Sequence, residues 1–213
     1  MSKFFKSTWF RCIFTLLAIA VIASGLLAIL NDILFISPEE RTARAIKKIY
    51  GYEVSNYEVL LDVDSTEDGV DKTPIENENG FGTIDKIYLV GNTTDENYEI
   101  LFRASGNKGY KGGTITLWVK VDVTNDLAAI SPVSTQKITK VVMDSYDKQT
   151  LMSKLGSPFY DKFLVDVTDN YDNLFAADGS QELTNPITGA TKSANAACNA
   201  VNCVIEYLED WGA

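Results

Sequence analysis

Thr114-Ile115-Thr116-Leu117-Trp118-Val119-Lys120-Val121-Asp122-Val123 alternates in character from one residue to the next, and that alternation decides the fold. Successive side chains of a strand point to opposite faces, so Ile115, Leu117, Val119 and Val121 share one face and Thr114, Thr116, Trp118 and Lys120 the other. Two runs of similar character precede it, residues 84–90 and 98–104, each bounded by Gly, Asn or Asp. A fourth run, residues 136–144, continues the pattern and predicts an antiparallel meander. Residues 148–155 and 157–164 read as helical or mixed segments, and a closing helix is expected over about residues 193–209. A further helix is predicted earlier in the chain. Ser37 serves as its N-cap, Pro38 as its first position and Glu40 completes a capping box. Ala43, Ile46 and Ile49 form its apolar stripe, Lys47 and Lys48 sit in its last turn, and Gly51 ends it. The class is α+β.

The N-terminus reads as a membrane anchor. Residues 1–11 carry Lys3, Lys6 and Arg11 and no acid, and residues 12–30 are 19 positions without a charge. A single membrane-crossing helix needs about 20 apolar residues. Asn31-Asp32 interrupt the run before Ile33-Leu34-Phe35-Ile36 resume it, so the helix is expected to extend or tilt. A cleaved signal peptide is the rival reading, but its apolar core spans only about 7–15 residues, and the length here favours a retained anchor. The basic flank predicts a cytoplasmic N-terminus. On this reading residues 1–36 form a cytoplasmic tip and single transmembrane anchor in the cell membrane. Residues 37–213 form one extracytoplasmic domain, enough for one core and too few for two.

Composition excludes more than it assigns. Beyond Arg11, 16 basic residues face 29 acidic ones, a net charge of −13, and such a field repels nucleic acid and anionic headgroups. The chain has no histidine. No Ser-His-Asp or Cys-His arrangement can be built, no c-type haem motif exists, and the commonest transition-metal ligand is missing. No catalytic residue and no metal ligand is assigned, and an organic cofactor is favoured over hydrolase or zinc chemistry. Asp62-Val63-Asp64-Ser65-Thr66-Glu67 resembles the start of a calcium loop, yet Glu67 holds the sixth position, which demands glycine. A solvated, acidic loop is expected over residues 62–80. Of the three cysteines, Cys12 lies in the anchor. Cys198 and Cys203 stand roughly 140° apart around a helix, which disfavours an internal bridge. Cys198 shares a stripe with Ala194, Ala197, Val201, Val204, Ile205 and Leu208, so buried thiols are expected.

Asn185-Pro186-Ile187-Thr188-Gly189-Ala190-Thr191-Lys192-Ser193 places a small turn just ahead of the closing helix. Within it, Thr188-Gly189-Ala190-Thr191 resembles the Ser/Thr-Gly-Ala-Thr signature of flavin-binding electron-transfer domains. About 80 residues earlier, Gly109-Tyr110-Lys111-Gly112-Gly113 and the strand that follows resemble the same family's Gly-Tyr-x-Gly segment. Gln149-Thr150-Leu151-Met152 and Leu155-Gly156-Ser157, with Phe159 and Phe163, are similar more loosely to its Glu-Thr-Pro-Gly-Leu-Gly and Phe-x-x-x-Phe segment. With the anchor, these matches follow the family's order over most of residues 10–208. The family comprises the flavin-binding subunits of membrane-bound, ion-pumping electron-transfer complexes: the G subunit of the Rnf type and the C subunit of sodium-translocating NADH:quinone oxidoreductases. The compact size leans towards the Rnf type.

The resemblance implies one FMN per chain, joined through its phosphate to the hydroxyl of Thr191 by a separate flavin transferase. Thr188, Gly189 and Ala190 would form the turn which that enzyme reads. A helix N-terminus favours a phosphate through its N–H groups and dipole. The resemblance also implies that Gly112 and Gly113 let the backbone lie close to the flat ring, because glycine has no Cβ. Trp118 and Tyr110 are candidates to stack on it, and both residue types fit a core or a surface equally well. The implied role is a redox subunit of an ion-translocating complex, with other membrane subunits as partners, rather than a stand-alone catalyst. A free-standing anchored flavoprotein and a non-redox anchored binding domain with an unmodified turn are the alternatives. One departure stands out: the family's attachment pattern usually begins with aspartate six residues before the modified threonine, where this chain has Asn185.

Overall fold

The computed structural model describes residues 8–34, 36–125, 134–168, 175 and 189–211. The chain divides into two units, Met1–Thr42 and Ala43–Ala213. In the first, helix α1 (Thr8–Leu34) runs for 27 residues. Its stretch Cys12–Asn31 is 20 residues long, with a mean hydropathy of 2.7 and none of its span buried, so α1 is long and apolar enough to cross a membrane. Asn31 and Asp32 lie inside the helix rather than ending it. Helix α2 (Pro38–Tyr50) begins as its capping sequence predicts. The Glu40 N–H donates to Ser37 Oγ at 3.1 Å, and the Arg41 N–H to the Ser37 carbonyl at 3.0 Å.

The second unit is built on a six-stranded antiparallel sheet: β1 (Glu58–Asp62), β2 (Ile75–Glu76), β3 (Gly82–Val90), β4 (Asn97–Gly106), β5 (Ile115–Asn125) and β6 (Ser134–Tyr146). Strands β3 to β6 are the expected meander, each paired with the next. Strands β1 and β2 were not expected. Both pair with the free edge of β3, β1 along residues 86–89 and β2 at residues 83–84. Neither carries a legible alternation, because one is five residues long and the other two. Asp62, assigned to a solvated loop, is buried instead. Its carboxylate accepts from Lys86 Nζ at 2.8 Å and from the Tyr88 hydroxyl at 2.5 Å. A charge leaves water only when so paired.

The sheet carries a helix on each face. On one, Ile46 and Ile49 of α2 are buried against Tyr88, Leu101 and Trp118. Ala43 is exposed, because the buried side of α2 runs through Ala45, Ile46, Ile49 and Tyr50 instead. On the other face Ile115, Leu117, Val119 and Val121 join Ile87, Ile100 and Phe102 in the main core, covered by α4 (Thr191–Trp211). Full burial of each such side chain contributes about 1.5–3 kcal/mol. From Ser193 to Ile205 only Asn195 keeps partial exposure, so α4 is covered well beyond the single stripe its sequence predicted. Asn199 and Asn202 account for part of the extra cover. Asn199 Nδ2 donates to the Asn107 carbonyl at 2.8 Å. Asn202 brackets Phe175, accepting from its N–H at 2.7 Å and donating to its carbonyl at 3.0 Å. Phe175 in turn meets Phe163 edge-on at 4.9 Å in the cluster that includes Phe159. Residues 157–163 form a short helix, α3 (Ser157–Tyr160), and one 3-10 turn.

Candidate functional site

Three stretches far apart in the chain meet at the N-terminal end of α4: the turn at residues 109–113, the loop at residues 147–154, and residues 189–193. Gln149, largely buried, joins them. Its Oε1 accepts from the Tyr110 N–H at 3.0 Å and from the Ser193 hydroxyl at 2.9 Å. Its Nε2 donates to the Asp147 carbonyl at 2.9 Å and reaches the Tyr110 carbonyl at 3.5 Å. Gly113 permits this closeness, since a Cβ there would stand 2.1 Å from the Asp147 carbonyl oxygen. The backbone here is unusual. Among the described residues, every non-glycine residue with positive φ lies in or next to these two loops: Lys108, Lys111, Lys148 and Leu151. Such conformations cost about 1–3 kcal/mol each and persist where surrounding contacts over-determine them, most often at ligand sites.

No family model, curated protein or solved structure matches the chain.

The site's own chemistry is basic and aromatic. Residues 106–114, 147–155 and 189–200 hold Lys108, Lys111, Lys148, Lys154 and Lys192 against one acid, Asp147. Asp147 pairs with Lys148 at 3.3 Å. Tyr110 and Leu151, both exposed, add apolar surface, and Lys111 Nζ lies 5.4 Å from the centre of the Tyr110 ring. In a domain with a large acidic excess, an anion meets a locally basic surrounding here.

Thr191 is the first residue of α4 rather than the residue before it, and it is exposed. Ala190 is buried, and its carbonyl takes the first helical hydrogen bond, from the Ala194 N–H at 2.9 Å. Gly189 holds φ +81°, and Lys154 Nζ would lie 3.0 Å from a Cβ placed on it. Gly112 is exposed with open space beside it, and Gly113 is buried. Thr188 and Asn185 lie outside the described residues. Trp118 belongs elsewhere. It is buried, stacked on Tyr88 at 6.1 Å in the cluster under α2, and the sheet separates it from α4. Strand alternation explains this, since Trp118 faces opposite to Leu117 and Val119. Ser193 and Lys154 were not singled out by the sequence, and Gln149 entered only as the first residue of a loosely similar stretch. Nothing local marks their roles, which come from contacts across about 40 residues of chain.

A phosphate ester on Thr191 fits these surroundings: an exposed hydroxyl-bearing residue at a helix start, with Lys154 beside the turn and Lys192 next in sequence. A separate cleft does not. That cleft of about 410 Å³ between β2 and the far half of α4 is lined by Glu76, Glu78, Glu206, Glu209 and Asp210. Burial, with Glu78 nearby, raises the pKa of Glu206 there.

Cys198 and Cys203 are buried and not joined in a disulfide, and burial pushes the Cys203 thiol up to about 12. A thiol so raised is unreactive near neutral pH. Replacing both by alanine is expected to cost on the order of 1–3 kcal/mol in denaturant unfolding. Any flavin spectrum and its reduction should stay unchanged, and loss of electron transfer in the folded double variant would contradict this.

Proposed function

We propose that this chain is an electron-transfer subunit that carries one FMN as a phosphoester on Thr191. It relays electrons within a membrane-bound, ion-pumping complex of the Rnf type, as the family resemblance implies. One observation carries the reading: the three stretches that bear the resemblance, distant in sequence, converge on Gln149 beside Thr191 in a strained, lysine-rich setting. FMN, when bound, supplies the electron transfer. The chain supplies a tether, a basic surrounding for the phosphate, and backbone that can lie close to a flat group. A covalent tether also keeps the cofactor from diffusing away on the outer side of a membrane. The exposure of Thr191 suits modification by a separate enzyme, which must admit the turn into its own active site.

The test is an intact mass of protein co-expressed with a flavin transferase, together with in-gel fluorescence after denaturation. A covalent flavin appears in both, and an unmodified binding domain in neither. Co-purification with polytopic membrane partners separates a pump subunit from a free-standing flavoprotein.

The placement follows from the same proposal: α1 stays attached as an anchor, with the N-terminus cytoplasmic and the domain outside. Protease added to spheroplasts should digest the domain and leave an N-terminal membrane fragment. A mature protein beginning after residue 25 would refute the anchor.

A further inference from the structure

The geometry points to Gln149 as the positioning residue of this site: its amide locks the 109–113 turn to the first turn of α4, so that a flavin on Thr191 meets one fixed surface. The inference rests on the flavin reading above. A primary amide offers two donor hydrogens and two acceptor lone pairs. Here both lone pairs are taken, by the Tyr110 N–H and the Ser193 hydroxyl, and both hydrogens face carbonyls, those of Asp147 and Tyr110. Turning the amide over would set its NH2 against the Tyr110 N–H and its oxygen against two carbonyls, so only one orientation is satisfied. Because Tyr110 and Ser193 meet on one oxygen, the turn cannot shift relative to α4 without breaking a buried hydrogen bond. Ser193 is itself almost fully buried two residues beyond Thr191, and it transmits the constraint to the helix start.

The packing leaves little slack. Gly109 and Gly113 both lie against the amide, where a Cβ would come within 2.5 and 2.7 Å of Gln149 Nε2. A residue chosen only to fill this space need not be polar. Methionine has similar length and makes none of the four bonds, so it separates positioning from packing.

Four proteins are compared after co-expression with the transferase: wild type, Gln149→Met, Ser193→Ala and the double variant. The readouts are the flavin mass, the quenching of flavin fluorescence by iodide, the flavin midpoint potential and amide exchange at Tyr110. Gln149→Met is expected to unfold cooperatively and to carry FMN. Its Tyr110 amide should exchange about tenfold faster, the loss expected for one part-buried hydrogen bond. Iodide should reach its flavin more readily, with a shifted potential. Ser193→Ala should show the same changes more weakly, and should add little in the Gln149→Met background, where all it still removes is the hydroxyl's 3.3 Å contact with the Thr150 carbonyl. If Gln149→Met does not fold, Ser193→Ala alone carries the test, since it leaves the amide in place. Labelled variants identical to wild type in quenching, potential and exchange would overturn the positioning role while leaving the flavin reading intact. A wild type that no transferase labels would overturn both.

Discussion

Thr191→Ala is expected to abolish covalent flavin completely and leave the domain folded. Wild type co-expressed with a transferase should gain the mass of one FMN less one water. The alanine variant should lose that mass and its in-gel fluorescence, because the other hydroxyl in the first turn of α4, that of Ser193, is buried. An exposed residue at a helix start contributes little packing, so the stability change should stay within about 0.5 kcal/mol. Folding and labelling therefore separate cleanly. Thr191→Ser should keep partial labelling, since it retains the hydroxyl. Thr188→Ala should keep labelling too, Thr188 being the turn's first residue rather than the acceptor. Asn185→Asp should raise the extent of labelling or leave it unchanged, restoring a charge that the family's attachment pattern usually carries. A Thr191→Ala protein that still bears covalent flavin would move the attachment elsewhere. A wild type never labelled would favour the unmodified binding domain.

What the sequence made legible is what local periodicity encodes. Strands β3 to β6 alternate strongly enough to be read directly, and so does the apolar length of α1. The start of α2 was legible because N-capping is a local device, here the Ser37 hydroxyl accepting from the Glu40 N–H within one turn. Strands β1 and β2 were not, because each exists only by pairing with β3. The candidate site divides in the same way. The small residues of the turn at 189–191 and the glycines at 112 and 113 can be read from residue type alone. Gln149 cannot, because an isolated polar residue in a loop gives no sign that it will be buried and bonded to segments 39 and 44 positions away. Trp118 misled for a related reason. An aromatic in a strand beside a glycine-rich turn suits a ring-stacking role, but which face it takes depends on a core that only the whole sheet defines.

Gly106→Ala should be severely damaging, costing about 3 kcal/mol or more, because it strikes where the sheet and α4 touch backbone to backbone. Gly106 ends β4, and a Cβ there would stand 2.0 Å from the Ala196 carbonyl oxygen and 2.3 Å from the Ala200 nitrogen. No rotamer change relieves contacts with main-chain atoms. The helix must move away bodily, opening space along a core in which Ala196, Ala200, Val201 and Val204 are fully buried. Gly112→Ala is the matching control. Its Cβ meets nothing within 4 Å, but its φ of +71° remains unfavourable for alanine, so it should cost only about 1–2 kcal/mol. Denaturant unfolding of the two variants separates close approach from backbone conformation, and a Gly106→Ala protein within 1 kcal/mol of wild type would contradict the packing described. The consequence reaches the site, because α4 carries Thr191 and Ser193. A helix displaced at Ala196 draws Ser193 away from Gln149 and Asn199 away from the Asn107 carbonyl. Any Gly106→Ala protein that still folds should therefore show faster amide exchange at Tyr110 as well, though the substitution lies outside the Gln149 contacts. The tightest contact between helix and sheet would then also set the alignment of the turn with the start of α4.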